Sequence, residues 1–135
     1  MIYLDSAAVV KLVRQEPYSA DLVTWLNGQA NVALVSSALV EVEVPRALRR
    51  AEPRALSGVP AVVGRLFRVE IDATVRATAA AFPEPTLRSL DAIHLATATI
   101  LASEPGANLI AFVTYDQRLL TAAKAAGLPI ASPGA

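Results

Sequence analysis

The first six residues, 1–6, read M-I-Y-L-D-S and place an aspartate directly after a short apolar run. Ile2, Tyr3 and Leu4 are followed by a polar residue, a pattern that predicts a short buried strand. A carboxylate at the end of such a strand needs water, a partner or a metal ion, because an ionised and unpaired acid in a dry site is costly. Asp5 is therefore a candidate functional residue if other acids occupy similar positions.

The composition predicts one compact domain. The chain has 135 residues and is 54% hydrophobic, so residues 1–135 suit a single domain with a sizeable core. Twelve basic and twelve acidic side chains cancel, and any nucleic acid would have to meet a local patch. The absence of cysteine excludes a disulfide framework, a zinc finger and a thiol enzyme. No apolar stretch reaches the roughly 18 residues of a membrane span, so we expect a soluble, cytoplasmic protein with no membrane partner.

Short apolar runs alternate with longer helical patterns along the chain. The predicted strands are residues 2–4, 32–35, 68–71 and 109–114, with a further strand at 128–131. The predicted helices are residues 7–14, 20–27, 39–51, 73–82, 91–103 and 117–126, with a short or broken helix at 55–66. Strands that alternate with helices indicate an α/β fold, in which a parallel sheet of four to five strands is covered on both faces.

Two acids follow predicted strands. Asp5 follows the first strand, and Asp116 follows the run L-I-A-F-V-T-Y of the fourth. In open parallel sheets, functional groups collect beyond the carboxyl ends of the strands, which makes both acids candidates. The alternative is that each aspartate only caps the helix that follows it, since aspartate is a favoured N-cap. The sequence leaves both interpretations open.

Two more acids lie inside helical patterns. At about 100° per residue, Glu43 shares a sector with Leu39, whereas Glu41 lies about 160° away from Glu43. We therefore expect Glu43 to face the core. Asp91 shares a stripe with Leu95 on a largely apolar helix, with an N-cap role as the alternative. Acids on buried stripes are rare without a compensating cation.

The carboxylates of these four acids, Asp5, Glu43, Asp91 and Asp116, would repel one another if the fold placed them together at one site. Two carboxylates about 4 Å apart repel by roughly 4 kcal/mol at an effective dielectric near 20, and a divalent cation reverses that sign. With no cysteine and a single histidine, an all-oxygen site suits Mg²⁺ or Mn²⁺. Mg²⁺ retains waters and binds through one or two carboxylates plus a substrate phosphate. The pattern therefore favours phosphodiester chemistry.

Four segments, in this order and spacing, carry a resemblance to a known family. They are Y-L-D-S-A-A, S-S-A-L-V-E-V-E-V-P-R-A-L-R-R, L-D-A-I-H-L-A-T-A and V-T-Y-D-Q-R-L-L-T-A-A-K-A-A-G. Nearly the whole chain resembles PIN-domain ribonucleases, specifically VapC-type toxins of VapBC toxin–antitoxin systems. The resemblance implies a three-layer α/β/α fold and a Mg²⁺-dependent endoribonuclease that cleaves RNA. It also implies inhibition by a cognate VapB-type antitoxin, in a homodimer or a toxin–antitoxin hetero-oligomer.

The resemblance also implies roles for individual residues. The family's acidic quartet, which is both catalytic and metal-binding, corresponds by position to Asp5, Glu43, Asp91 and Asp116. Among them, Asp5 and Asp91 are favoured as direct metal ligands. Ser6 and Thr114 stand where the family often has supporting hydroxyl residues.

Two positions depart from the family pattern. Ala7 replaces a hydroxyl residue that commonly follows the first D-S, and Pro45 lies inside a predicted helix. Because proline removes a backbone donor and clashes with the preceding turn, a kink at Pro45 would move Glu43. The E-V-E doublet also leaves two candidates for the family's glutamate, Glu41 and Glu43. We choose Glu43 because it lies on the helical face that is expected to point to the core.

Three further features have a functional and a structural interpretation. An arginine-rich segment would either flank an RNA strand or form a solvated helix face; it comprises Arg46, Arg49, Arg50 and Arg54. His94 could act as a base, but a single histidine on an apolar helix is more often structural, and we assign it no catalysis. The apolar residues within 56–67 are either an interaction surface or ordinary core.

Other protein classes fit this sequence less well. A receiver-type phosphoacceptor domain needs a lysine near the last strand, whereas Lys124 lies inside a predicted helix. A haloacid-dehalogenase-like phosphatase needs D-x-D after the first strand and a dinucleotide binder needs G-x-G-x-x-G, and neither motif occurs there. The strongest non-enzyme alternative is a catalytically inactive PIN-like domain that acts as an RNA- or protein-binding module.

Overall fold

A computed structural model describes all residues, 1–135, and contains one five-stranded sheet with seven α-helices. The strands are β1 (Ile2–Leu4), β2 (Leu34–Ser37), β3 (Phe67–Val69), β4 (Ala111–Val113) and β5 (Ile130–Ala131). The helices are α1 (Ser6–Val13), α2 (Ser19–Asn27), α3 (Val40–Ala51), α4 (Val59–Val63), α5 (Ala73–Ala80), α6 (Ser89–Ser103) and α7 (Gln117–Ala125). The strand order is β3-β2-β1-β4-β5, and every neighbouring pair is parallel.

The two faces of the sheet support separate hydrophobic cores because successive side chains of a strand point to opposite faces. Ile2 and Leu4 of β1 pack in one core with apolar residues of α1, α2, α3 and α4. Tyr3, between them, packs in the other core with Leu95 of α6 and Leu119 of α7. The predicted three-layer α/β/α fold with a central parallel sheet is therefore confirmed. None of the helices has the length and apolar character that crossing a bilayer requires.

The predicted strand boundaries are wrong at several ends. β2 begins two residues later than predicted and continues through two buried serines to Ser37. Burial of these polar residues is tolerated because the Ser36 hydroxyl donates to the carbonyl of Leu4 at 2.6 Å and the Ser37 hydroxyl accepts from the amide of Leu39 at 3.0 Å. β3 begins at Phe67, which is 75% exposed because β3 is an edge strand.

Other predicted elements keep their type but change length. β4 and β5 are shorter than predicted, α5 ends at Ala80, and α6 begins at Ser89 rather than at Asp91. The broken helix is confirmed as a 3₁₀ segment, Pro53–Gly58, followed by α4. Pro45 does not interrupt α3, which is continuous on both sides of it.

Candidate acidic site

Asp5 lies between β1 and α1, directly after the central strand of the sheet. Its Oδ1 accepts the amide N–H of Ala8 at 2.8 Å and so caps α1. Its Oδ2 accepts the hydroxyl of Thr114 at 2.6 Å, because β1 and β4 are neighbours. Asp5 is only 4% exposed. Burial raises the pKa of Asp5, and the proximity of His94 together with these hydrogen bonds only partly opposes that rise.

Glu43 lies in the first turn of α3 and reaches across to α1 and α6. Its Oε1 accepts the hydroxyl of Ser6 at 2.6 Å and lies 3.0 Å from Nε2 of His94. Burial alone would raise the pKa of Glu43, but the contacts with His94 and Ser6 outweigh it and lower the pKa. Glu41 instead lies at the surface, 3.4 Å from the guanidinium of Arg68. Of the two glutamates, Glu43 is the one directed at the other acids.

Asp91 and Asp116 complete the cluster. Asp91 is half-buried in the first turn of α6, whose N-cap position is Arg88, so Asp91 does not cap the helix. Asp116 does cap α7, because its Oδ1 accepts the amide of Leu119 at 3.0 Å. The capping alternative therefore describes Asp5 and Asp116 correctly, although each cap uses only one of the two carboxylate oxygens.

Asp91 lies within electrostatic reach of the other three acids. Burial raises the pKa of Asp91, the negative charges of Asp116 and Glu43 raise it further, and His94 and Arg88 offset only part of the rise. The charge of Asp91 in turn contributes to the raised pKa of Asp5. Acids that are far apart in the sequence are thus gathered at the carboxyl edge of the central strands. Their mutual repulsion would be relieved by a cation.

The acids do not, however, form a complete cage. No group of three or more Asp, Glu or His side chains is arranged so that it could hold a metal ion by itself. Mg²⁺ is usually bound by one or two carboxylates, with water and substrate supplying the other oxygens, so such an ion needs no complete protein cage. The carboxylates of Asp5 and Asp91 are oxygen donors, the type that a hard divalent cation prefers.

His94, to which the sequence interpretation assigned no catalysis, lies in contact with Glu43 and Ser6. It is 1% exposed, its Nε2 lies 2.9 Å from the hydroxyl of Ser6, and its Nδ1 lies 2.8 Å from the hydroxyl of Tyr3. The spacing of one helical turn between Asp91 and His94 was the available signal, since residues three apart share a helix face. The contact of Tyr3 with His94 was missed because the strand pattern predicts that the aromatic ring is buried but does not show which partner its hydroxyl has.

The remaining candidate features are the arginine-rich group and the apolar stretch of residues 56–67. The arginine-rich group is exposed on α3 and the segment that follows it; it comprises Arg46, Arg49, Arg50 and Arg54. Within residues 56–67, Val63 and Leu66 are buried, and Leu56, Val59 and Val62 are partly buried and pack against the same core. Phe67 is the large apolar residue of this stretch that is strongly exposed.

A three-layer α/β/α domain with carboxylates gathered at the carboxyl edge of its parallel sheet defines a PIN-type protein. The chain belongs to the PIN domain family, whose sequence model matches residues 2–125. It is 52% identical over 134 residues to ribonuclease VapC35 of Mycobacterium tuberculosis, an alignment that covers 99% of this chain and 98% of the relative. The recognition of a VapC-type PIN protein is thereby confirmed.

Solved structures with low sequence identity share the fold. VapC20 of Mycobacterium tuberculosis, described as a sarcin–ricin loop cleaving toxin, aligns with a TM-score of 0.72 at 18% identity, covering 98% of this chain and 100% of that one. VapBC2 of Rickettsia felis, solved bound to a DNA fragment from its promoter, aligns with a TM-score of 0.67 at 15% identity, covering 98% and 99%.

Proposed function

We propose that this chain is a VapC-type endoribonuclease toxin that hydrolyses RNA phosphodiester bonds with Mg²⁺, for which Mn²⁺ can substitute. The observation that carries the proposal is the gathering of Asp5, Glu43, Asp91 and Asp116 at one edge of the sheet, where burial raises the pKa of Asp91 and the charges of Asp116 and Glu43 raise it further. The 52% identity to a protein named as a ribonuclease supports the same activity.

Asp5 and Asp91 are the side chains that would hold the ion, with Glu43 and Asp116 completing the negative field. When bound, Mg²⁺ would lower the pKa of a coordinated water and offset the charge that develops on the phosphate. Asp5 is fixed for this purpose by Thr114, and Glu43 by Ser6. Pre-oriented carboxylates of this kind need little rearrangement when the substrate arrives.

The substrate's own charge also requires a cation. An RNA strand crossing this edge would place phosphates against four carboxylates, so binding without a divalent ion is electrostatically unfavourable. Arg88 directly precedes α6, and its charge lowers the pKa of Asp91. We therefore propose that metal and RNA bind together.

The proposed partner is a VapB-type antitoxin. The support is the similarity to proteins named VapC and to a solved VapBC2 complex. A toxin that is active alone must be neutralised in the cell that makes it, which is the role we propose for the antitoxin. A homodimer or a toxin–antitoxin hetero-oligomer is the expected assembly.

The test is a Mg²⁺ and Mn²⁺ titration of RNA cleavage by the wild type, Asp5→Asn and a control variant, Asp72→Asn. Asp72 caps α5 through the amide of Val75 at 2.9 Å, so its replacement probes the loss of a capping carboxylate outside the cluster. The proposal predicts metal-dependent cleavage by the wild type and Asp72→Asn, and cleavage lower by at least about 100-fold in Asp5→Asn. Cleavage that needs no metal or is undiminished in Asp5→Asn would refute it, and no cleavage by the wild type would leave a PIN-like binding module as the better description.

A further inference from the structure

We infer that His94 is a positioning residue for the reaction: its Nε2–H holds the carboxylate of Glu43 in the acidic site, and Tyr3 holds the imidazole in that orientation. The inference rests on the proposed nuclease function. The contacts that carry it are His94 Nε2 to Glu43 Oε1 at 3.0 Å and His94 Nδ1 to Tyr3 Oη at 2.8 Å.

The hydrogen-bonding partners decide which ring nitrogen of His94 carries a proton. Oε1 of Glu43 is an acceptor and already accepts the hydroxyl of Ser6. A bare Nε2 at 3.0 Å from this oxygen would place two acceptors in contact, so Nε2 carries the hydrogen. It donates that hydrogen to Glu43 and shares it with the hydroxyl oxygen of Ser6, which lies 2.9 Å from Nε2. Nδ1 of the neutral ring is then an acceptor for the phenol of Tyr3. A doubly protonated ring would also donate from Nε2, so the contact with Glu43 is the same in both states.

Tyr3 is suited to act as an anchor because its surroundings fix it. It lies in β1 with no solvent exposure, and its ring stacks on Phe112 with centroids 5.2 Å apart and planes 6° apart. The ring of His94 packs edge-on against Tyr3 at 5.8 Å. Burial raises the pKa of Tyr3, so its phenol keeps the proton that it donates.

The hydrogen bonds therefore connect Tyr3, in the central strand of the sheet, through His94 to Glu43 in the acidic site. Glu43 is only half-buried and has several rotatable bonds, so without His94 its carboxylate would be held by Ser6 alone. Partners that orient metal-site carboxylates typically change metal affinity or activity by 10- to 100-fold when they are removed. Such an effect would reach the reaction through Glu43 and not through direct contact of His94 with the substrate.

A spectroscopic test does not depend on cleavage. The chain contains a single histidine, so ¹⁵N-histidine labelling followed by long-range ¹H–¹⁵N correlation reports the protonation of the two ring nitrogens of His94 without ambiguity. We expect Nε2 to be protonated, with Nδ1 either bare or protonated as well. A bare Nε2 with a protonated Nδ1 would overturn the inference.

The kinetic test asks whether His94 acts through Glu43. His94→Leu should lower cleavage, or raise the Mg²⁺ concentration for half-maximal cleavage, by about 10- to 100-fold, whereas His94→Gln, which keeps an N–H donor, should recover most of the loss. In the Glu43→Gln background, His94→Leu should have no further effect.

Tyr3→Phe keeps the stacked ring and should show a smaller loss in the same direction. The control is Thr99→Val, which removes a hydroxyl on α6 that bonds only to the carbonyl of Leu95 at 2.8 Å and should leave the kinetics unchanged.

The outcomes separate the two proposals. If the wild type does not cleave RNA with any divalent ion, the proposed function fails. If the wild type cleaves but His94→Leu matches it per folded molecule, the inference fails while the function stands. The inference also fails if the His94→Leu loss persists undiminished in the Glu43→Gln background, because His94 would then act through packing alone. Circular dichroism and thermal unfolding of each variant establish the folded fraction on which rates are based.

Discussion

The hydroxyl of Thr114 donates a 2.6 Å hydrogen bond to Oδ2 of Asp5, although the two residues are 109 positions apart in the chain. This contact joins the ends of β1 and β4, the central pair of the sheet, at the point where the acids gather. Thr114 is itself fully buried, and its oxygen also accepts the amide of Asp116 at 3.2 Å. One hydroxyl thus orients two of the four acids.

Replacement of Thr114 should therefore destabilise the fold more than its size suggests. Thr114→Val keeps the shape but leaves the buried carboxylate of Asp5 and the amide of Asp116 short of a partner, which should cost about 1–3 kcal/mol in the free energy of unfolding. Thr114→Ser, which keeps the hydroxyl, is the matched control. Urea denaturation monitored by circular dichroism measures both variants, and a loss in Thr114→Ser with none in Thr114→Val would show that the methyl group and not the hydroxyl matters.

Asp5→Asn should separate stability from activity. Asparagine still caps α1, and it removes a buried negative charge whose pKa is raised by desolvation, so the variant should unfold at the same or a higher urea concentration than the wild type. Cleavage should fall by at least the roughly 100-fold that removal of an outer partner can cost. A variant that loses both properties together would indicate that Asp5 serves the fold alone.

The two glutamates of α3 offer a matched pair. Glu43→Gln can still accept from Ser6 and His94 but lacks the charge, so cleavage should fall sharply while the thermal midpoint changes little. Glu41→Gln alters a surface residue paired with Arg68 and should retain wild-type cleavage. The cleavage rates of the two variants are compared at the same Mg²⁺ concentration. If Glu41→Gln lost cleavage and Glu43→Gln retained it, Glu41 and not Glu43 would belong to the site.

The raised pKa of Asp91 predicts a pH dependence of stability in metal-free buffer. A carboxyl group whose pKa is higher in the folded than in the unfolded chain favours folding when protonated, so its stabilising effect is full below about pH 4 and is lost as the pH rises through the raised value. The free energy of unfolding of the wild type, relative to that of Asp91→Asn, should therefore decrease with increasing pH above about 4. Glu43 has a lowered pKa with the opposite pH effect, but it is present in both proteins and cancels in the comparison. A difference that stays constant, or increases with pH, would contradict the electrostatic description of the site.

Much of the fold was predictable because it depends on local periodicity. The alternation of short apolar runs with amphipathic segments gave the parallel α/β sheet and the types of nearly all elements. The ends of β2 and β3 were not predictable from hydropathy, because the buried Ser36 donates a hydrogen bond to Leu4 on a neighbouring strand and Phe67 is exposed on an edge strand. Both depend on which strands become neighbours.

The placement of the candidate acids was predictable in part. Asp5 and Asp116 were expected at carboxyl strand ends and Glu43 on the inner face of its helix, and the structure places them there; their roles stay predictions. Sequence periodicity could not show that His94 and Tyr3 are linked, since the 2.8 Å contact between them joins residues 91 positions apart on two layers of the fold. Nor could it give the spacing of the acids, which lie in one neighbourhood without forming a protein-only metal cage.

The most direct test of the account is to measure Mn²⁺ binding by calorimetry to the wild type, Asp5→Asn, Asp91→Asn and the control Asp72→Asn. The account predicts saturable binding by the wild type and by Asp72→Asn, and affinity weakened by at least about tenfold in the two site variants. Equal binding by all four proteins, or no binding by the wild type in the presence of RNA, would contradict the claim that these separated carboxylates form one cation site.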